Sequence, residues 1–173
     1  MESLRYPTGR FNPPRLFDSE KLEGFKSEIK HFPVQLKDIV NQLSEQHLET
    51  KYRPDGWTGR QVIHHLSDSH INSYIRYRWT LTENRPIIKA YDEKRWTELP
   101  DAVSAPVQLS IDILESIHAK WSNFLDLLSE TDYKQSFIHP ESGKEIDLYS
   151  LTALYAWHGK HHLGHLKLIL QNS

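Results

Sequence analysis

Apolar residues recur at helical spacing in four long stretches of the chain. The first stretch predicts a helix from Asp18 or Ser19 to about Glu45. Its apolar face carries Leu36, Ile39, Val40 and Leu43. Pro33 lies inside this stretch, and a proline there removes a backbone hydrogen bond and clashes with the preceding turn. We therefore expect a kink or a break at Pro33.

The second stretch has the clearest start. Thr58 and Gln61 have the spacing of a capping box, and Trp57 and Val62 have that of the flanking hydrophobic staple. The pattern predicts a helix from Thr58 to about Glu83.

A connection of about twenty residues follows, which is too long for a hairpin between antiparallel neighbours and indicates a crossover. The third helix is predicted to begin at residues 104–106 and to end near residue 128. Its buried side is assigned to Leu109, Ile113, Ile117, Phe124 and Leu128.

Turn-forming residues occupy the stretch 131–146, and a fourth helix is predicted from Asp147 to Gln171. No stretch shows the sustained alternation of a β-strand. Residues 1–18 contain three prolines and no clear period, so they predict an irregular arm. Together these elements predict an all-α protein, a four-helix bundle with a long crossover between the second and third helices, formed by residues 1–173 as a single domain.

Composition narrows the class of function. The 173 residues are 38% hydrophobic and 25% charged, which suits one folded domain. A net charge of −2 provides no basic surface for nucleic acid. No apolar run approaches the ~20 residues of a membrane span, and residues 1–10 lack the apolar segment of a signal peptide. The chain has no cysteine, so we expect a cytoplasmic protein that would bind a transition metal through histidine and carboxylate.

Seven of the eleven histidines lie in residues 64–70 and 158–165. His158 and His162 are four residues apart, so on a helix they share a face with Cβ atoms ~5–6 Å apart. That spacing lets two imidazoles converge on one ion at ~2.0–2.1 Å. His161 and His165 form a second pair of the same kind. Spacing alone leaves both pairs open, and a solvent-exposed face rich in histidine is the alternative to a metal site.

The H-E-x-x-H zinc motif has the same spacing and uses the glutamate after its first histidine as a general base. Gly159 occupies that position here. A metalloprotease of that class is therefore set aside.

A third ligand has to come from another helix. At about 100° per residue, one narrow sector of the second helix carries four polar residues. They are His65, Ser69, Asn72 and Arg76. This stripe is either the polar wall of a cavity or a solvent-exposed face. His64 points about 100° away from it, and His70 lies nearly opposite and is predicted to be a core residue rather than a ligand.

The remaining histidines carry weaker signals. His31, His47 and His118 are isolated in the sequence and are predicted to lie at the surface or its boundary. His139, beside Pro140 in a loop, is free to approach a pocket, although nothing in the sequence requires it.

The chain resembles the DinB/YfiT group of metal-binding four-helix bundles, in particular its YfiT-type members. The resemblance rests on YRPDGWTGRQVIHHLSDSH at 52–70 and LYAWHGKHHLGH at 154–165. Supporting segments are RYPTGRF at 5–11, IKAYDEKRW at 88–96 and FIHPESG at 137–143. These segments are spread over nearly the whole chain, so the resemblance is domain-wide.

In that family, a histidine eight positions after a tryptophan joins two histidines of the last helix. Trp57 plus eight is His65. The terminal pattern H-x-x-H-H-x-G matches the segment 158–164, with its first and third histidines as ligands. The resemblance therefore implies His65, His158 and His162 as the metal ligands. It also implies a homodimer.

One position departs from the family pattern. Where DinB-like sequences often continue with glutamine after the glycine of that motif, this chain has His165. An additional imidazole is therefore expected near the site, either as a neighbour of the ligands or as an acid–base group.

Three neutral histidines leave an open position on Zn²⁺, the expected ion, or on Ni²⁺, and open positions are typical of catalytic sites. Such an ion lowers the pKa of bound water to ~7 and would likewise activate a thiol. The expected function is a metal-dependent hydrolase acting on a small molecule. The first alternative, which the resemblance to the DinB-like superfamily implies, is a transferase that conjugates a low-molecular-weight thiol such as bacillithiol to electrophiles. The second is a non-catalytic metal-binding stress-response module.

Other polar residues receive candidate roles around this ion. Arg76 is a candidate for holding a substrate carboxylate, with a buried ion pair as the alternative role. Ser69 and Asn72 are candidates for orienting His65 through its second nitrogen. Tyr155, one turn before His158, is expected to line the pocket or simply to pack. His161 and His165 complete the catalytic candidates.

Overall fold

A computed structural model describes residues 2–171 of the chain. Four long helices form a bundle, namely α2 (Ser19–Val40), α4 (Gly59–Thr82), α7 (Val107–Asp126) and α9 (Leu148–Gln171). The arm and connections contain the short helices α1 (Glu2–Arg5), α3 (Glu45–Glu49), α5 (Glu93–Trp96), α6 (Pro100–Ser104) and α8 (Glu130–Tyr133). Strands β1 (Ser136–Ile138) and β2 (Glu145–Asp147) form an antiparallel hairpin before α9.

The helices pack in a ring in which α4 contacts α7 and α9, and α2 also contacts α7 and α9. α4 and α7 run parallel, since His64 contacts Ser110 near their starts and Tyr77 contacts Trp121 farther along both helices. Two parallel neighbouring helices require a connection that spans the length of the bundle. Residues 83–106 form this connection, and the predicted crossover is confirmed.

The first long helix differs from its prediction. α2 passes Pro33 without a break and ends at Val40 rather than near Glu45. It ends early because Ser44 begins a new helix, with a side chain that accepts a hydrogen bond from the backbone N–H of His47 in a capping box.

Local capping hydrogen bonds fix the starts of α4 and α9, the two helices that carry the predicted site. At the start of α4, the Thr58 side chain accepts from the Gln61 N–H, and the Gln61 side chain accepts from the Thr58 N–H. The predicted capping box is therefore present. At the start of α9, the Asp147 carboxylate accepts from the Ser150 N–H at 2.6 Å.

Several short elements were not predicted. The arm contains the single turn α1, the crossover contains α5 and α6, and α8 and the β1–β2 hairpin lie between α7 and α9. Strands of three residues are too short to show an alternating pattern, so the turn-forming residues between them were the only signal.

The buried face of α7 was predicted incorrectly. Leu109 is 57% exposed and Ile113 is 42% exposed, whereas Leu114, His118 and Trp121 are almost fully buried. The other three residues assigned to the buried face are partly buried and pack against the core, namely Ile117, Phe124 and Leu128.

The buried apolar side chains form two clusters along the bundle. One includes Tyr77 and Leu151, and the other includes Leu66 and Leu166. The intervening parts of α4, α7 and α9 carry buried histidines instead of a continuous apolar core. Within residues 2–171, no helix combines the length and hydropathy that crossing a membrane requires.

Candidate metal centre

Three imidazoles meet where the antiparallel helices α4 and α9 face each other. His65 of α4 and His158 and His162 of α9 each place one ring nitrogen within 4.8 Å of the others. The Nε2 atoms of His65 and His158 are 3.3 Å apart. Tetrahedral coordination at ~2.0–2.1 Å places ligand nitrogens about 3.3–3.4 Å apart. The spacing of this donor set therefore fits one small divalent ion.

The electrostatics of the cluster also suit a cation. Burial lowers the pKa of His65 to about 4 and holds the pKa values of His158 and His162 well below the usual range. Neighbouring imidazoles act in the same direction, because a second positive charge nearby is unfavourable. All three rings are therefore neutral at pH 7, which is the form that binds metal.

Trp57, eight residues before His65, packs against the histidine cluster. It lies immediately before the cap of α4, and its ring packs against His65 with centroids 4.6 Å apart and against His162 at 6.1 Å. The indole therefore forms an apolar wall against two of the three imidazoles.

A chain of imidazoles continues from His158 across the bundle. His158 Nδ1 lies 3.2 Å from His70 Nε2, and His70 Nδ1 lies 2.7 Å from His118 Nε2. His118 Nδ1 lies 2.7 Å from the carbonyl oxygen of Ile29 in α2. Burial lowers the pKa of His118 to about 4 and that of His70 well below its usual value, so these rings are neutral as well.

The carbonyl at the end of this chain fixes its direction. A carbonyl oxygen only accepts, and a neutral imidazole has one donor and one acceptor nitrogen. His118 therefore donates to Ile29, His70 donates to His118, and His158 donates to His70. The lone pair on His158 Nε2 is left facing His65, where an ion would lie.

A shorter chain begins at His162. Its Nδ1 lies 3.2 Å from His165 Nδ1, and His165 Nε2 lies 3.2 Å from the carbonyl oxygen of Arg5 in the arm. By the same reasoning, His165 donates to Arg5 and accepts from His162, which leaves His162 Nε2 unprotonated. Tyr52 stacks on His165 with centroids 3.8 Å apart and holds the ring in place.

A second cluster satisfies the same distance criterion. His161, His162 and His165 also bring one nitrogen each within 4.8 Å of one another. All three come from α9, and His165 already has a hydrogen-bond partner at each nitrogen. His161 stacks on Trp157 at 4.5 Å, and its Nδ1 is buried without a partner. Both predicted histidine pairs therefore face the same region, and His162 belongs to both clusters.

Sequence reasoning missed the second part of this arrangement. His118 was predicted at the surface or its boundary, but it is 1% exposed and lies within the imidazole chain. His70 is a core residue, as predicted, and it also bonds to His158. His70 and His118 are 48 positions apart, so only the parallel packing of α4 and α7 reveals their contact. Of the other histidines, His31 and His47 lie away from the site, and His64 bonds to Ser110.

Two cavities border His158. One of about 530 Å³ is lined by the arm residues Arg5 and Tyr6 and also reaches His65, His161 and His162. The other, of about 560 Å³, extends from His158 along α4 to Arg76. His139 also lines this second cavity, so its loop does approach a pocket.

The expected orienting residues of His65 make other contacts. Ser69 bonds through its hydroxyl to Tyr155 at 3.1 Å, and Asn72 donates its side-chain amide to the carbonyl of Asp68. Neither residue bonds to His65, because both are held by nearer partners. Tyr155 and Ser69 line the second cavity, whereas Asn72 lines neither cavity.

The position that holds the glutamate in the protease motif has no room for a side chain here, and Gly159 occupies it. A Cβ atom at this position would lie 2.7 Å from Cδ2 of Phe32, whose ring packs on His70 and His118.

We expect Gly159→Glu to lower the free energy of unfolding by about 1–3 kcal/mol, because Phe32 has to move. Urea unfolding measures the change. Gly24→Glu in α2 is the matched control, since no neighbour lies within 4 Å of its Cβ position. Equal losses in both variants would contradict the packing argument.

Comparison with known proteins identifies relatives of this chain. The sequence profile of the DinB superfamily matches residues 30–166. A protein of Bacillus licheniformis is 41% identical over 167 residues, covering 96% of this chain and 95% of its own length. One from Bacillus cereus is 45% identical over 166 residues, with the same coverage. Both bear the name of a proposed metal-dependent hydrolase.

Two solved structures share the fold. YfiT from Bacillus subtilis, described as a probable metal-dependent hydrolase with an unusual four-helix bundle topology, matches with a TM-score of 0.95 and 38% identity over 98% of this chain and 97% of its own. A mycothiol-dependent maleylpyruvate isomerase matches with a TM-score of 0.68 and 14% identity over 87% of this chain and 66% of its own, which shows a common fold alone. The match with YfiT confirms the predicted four-helix bundle.

Proposed function

Because the chain belongs to the DinB superfamily, we propose that it is a metal-dependent hydrolase in which His65, His158 and His162 hold one divalent ion, Zn²⁺ in our proposal. The observation that carries the proposal is the openness of this donor set. Among the described residues, no carboxylate joins the three imidazoles, and the cluster opens on a cavity of about 530 Å³. Structural zinc is normally closed by four protein ligands, so an open set favours catalysis.

The choice of this cluster over the one formed by His161, His162 and His165 rests on three points. Its ligands come from two helices, as in the family pattern. The Nδ1 atoms of His158 and His162 are each held by a further imidazole that leads to a backbone carbonyl, and metal-bound histidines usually have such a partner. His165, in contrast, has both nitrogens engaged.

Other residues around the ion orient its ligands or are candidates for acid–base catalysis. When bound, a divalent ion supplies Lewis-acid activation of a nucleophile. The two imidazole chains keep the ligands neutral and oriented, and the arm carbonyl of Arg5 anchors one of them. Of the two acid–base candidates, His161 is the better placed, because it lines the cavity while both nitrogens of His165 are engaged in hydrogen bonds. His165 acts chiefly to orient His162.

Thiol transfer is the second candidate function, and the two cavities on either side of His158 support it. A transferase has to bind a thiol and an electrophile at once, and each cavity has room for one small molecule. A small-molecule substrate, a homodimer and a cytoplasmic location stay predictions under both candidates.

The test begins with elemental analysis of protein purified without a nickel column, which distinguishes zinc from nickel. The metal-loaded protein is then incubated with a panel of esters and amides and, separately, with a thiol and chlorodinitrobenzene. We expect ester or amide cleavage that chelation and His158→Ala both abolish. Thiol consumption without cleavage would establish transfer instead. No turnover, together with unfolding on metal removal, would identify the structural ion of a non-catalytic module.

A further inference from the structure

Arg76 on α4 is buried without a partner. Its side chain is among the buried charged residues at 9% exposure, and its Nε has no hydrogen-bond acceptor. Within residues 2–171, no carboxylate forms an ion pair with its guanidinium. The buried ion pair considered as its alternative role is therefore absent. A buried charge without a counterion is unfavourable, and a polar group left in this way calls for a partner that arrives from outside the chain.

The surroundings of Arg76 show where such a partner would lie. Arg76 lines the cavity of about 560 Å³ that also borders His158 and Tyr155. His139, in the loop between β1 and β2, lines the same cavity, and its Nδ1 is likewise buried without a hydrogen-bond partner. Two side chains that each carry an unpaired buried nitrogen therefore line one cavity, and that cavity reaches the edge of the three-histidine cluster.

We propose that this cavity binds a carboxylate of the substrate, held by the guanidinium of Arg76, while the reacting group of the same substrate lies at the three-histidine cluster. The planar fork of arginine matches a carboxylate through two parallel hydrogen bonds. His139 provides a further hydrogen-bonding nitrogen at the same cavity. The position of the reacting group rests on the proposed function. The carboxylate site itself rests on Arg76 and does not depend on that function.

The charge around the cavity disfavours a doubly charged anion. Its exposed lining residues include three acids and one lysine, namely Asp92, Glu93, Glu141 and Lys94. The excess of negative charge opposes a doubly charged phosphate more strongly than a carboxylate, since Coulomb repulsion scales with the charge of the ligand. Of these two anions, a carboxylate is therefore the less strongly opposed, and the guanidinium of Arg76 supplies the attraction.

A pair of esters tests the proposal by kinetics. Monomethyl glutarate and methyl valerate have acyl chains of equal length and differ in one terminal carboxylate. In metal-loaded protein, Arg76→Gln is expected to raise the KM for monomethyl glutarate by roughly tenfold or more, because a hydrogen-bonded charge pair is lost. The KM for methyl valerate is expected to stay unchanged. Arg78→Gln is the matched control, since Arg78 is exposed on another side of α4 and contacts Tyr74 and Phe124.

A binding measurement separates the carboxylate site from the hydrolase proposal. Glutarate is titrated calorimetrically into wild type, Arg76→Gln and Arg78→Gln, and the Tm of each is recorded. We expect glutarate to bind wild type and Arg78→Gln with similar affinity. In Arg76→Gln, the Kd for glutarate is expected to rise by roughly tenfold or more. Without ligand, Arg76→Gln is expected to have a higher Tm than wild type, because an unpaired buried charge is removed.

The outcomes are distinguishable. Glutarate binding that depends on Arg76, with neither ester cleaved, would remove the hydrolase proposal and leave the carboxylate site standing. Equal glutarate affinity in wild type and Arg76→Gln would overturn the carboxylate site, whichever ester is cleaved. An equal rise in KM for both esters would also overturn it, because the effect would then not depend on the carboxylate.

Discussion

His158→Ala and His65→Ala are each expected to lower the affinity for zinc by a hundredfold to a thousandfold. Apparent free energies of zinc binding of ~10–16 kcal/mol are shared among a few ligands, so the loss of one removes several kcal/mol. The three nitrogens lie within 4.8 Å of one another, and no described carboxylate is placed to replace a missing imidazole. Competition with a chromophoric chelator measures the affinity, and elemental analysis after dialysis measures the metal retained.

His161→Ala is the matched control for this experiment. His161 lies on the same helix and lines the same cavity, but it belongs only to the second cluster. We expect His161→Ala to retain zinc. The opposite pattern, with zinc lost in His161→Ala and kept in His65→Ala, would place the ion in the second cluster. His162 belongs to both clusters, so its replacement does not separate them.

Local sequence signals predicted the parts of the fold that local interactions determine. The capping box of Thr58 and Gln61 correctly located the start of α4, and the length of the following connection correctly indicated a crossover. The early end of α2 was also local in origin, but the cap at Ser44 was overlooked beside the apolar run that continues to Leu43. Helix boundaries were therefore predicted well wherever the capping residues were considered.

Spacing left the ligand set open for a reason that the structure makes plain. His158 and His162 share one face of α9, and the pair His161 and His165 lies on an adjoining part that also faces inward. All four rings approach the site, so no rule based on helical periodicity distinguishes the pairs. The family resemblance was needed to choose His65, His158 and His162, and that choice stays a prediction until metal binding is measured.

Long-range packing determines the features that were missed. α7 carries apolar residues on more than one side, and the buried side is the one that contains His118 and Trp121. Choosing between the sides requires knowing that α7 lies between α2 and α4 and runs parallel to α4. The same knowledge is needed to connect His118 with His70 and with the Ile29 carbonyl. No local pattern encodes contacts between residues so far apart in the chain.

His70→Ala is expected to weaken zinc binding by ten- to hundredfold, although His70 is not a proposed ligand. Loss of an outer partner of a metal-bound histidine typically has an effect of this size. Without His70, the Nδ1–H of His158 loses its acceptor, and the ring is free to rotate or to adopt the other tautomer. His70→Gln is expected to restore part of the affinity, because its side-chain oxygen can accept from His158 and its amide can donate to His118.

His64→Ala separates orientation of the ligand from general stability. His64 is also a buried histidine of α4 that bonds across to the α7 side, through Ser110 and the carbonyl of Ala105, but it lies outside the imidazole chain. Both alanine variants are expected to lower the free energy of unfolding, since each leaves a small cavity and unpaired polar atoms. Only His70→Ala is expected to lower zinc affinity.

Nitrogen-15 NMR of the histidine rings tests the direction of the chain itself. In the metal-free wild type, we expect His158 to be protonated at Nδ1 and unprotonated at Nε2, because the carbonyl of Ile29 accepts at the far end. In His70→Ala, the two tautomers of His158 are expected to be mixed. Equal loss of zinc affinity in His64→Ala and His70→Ala, or an unchanged tautomer of His158 in His70→Ala, would show that the chain only packs the core. A change confined to His70→Ala would show that a backbone carbonyl on α2 sets the tautomer of His158 through two intervening histidines.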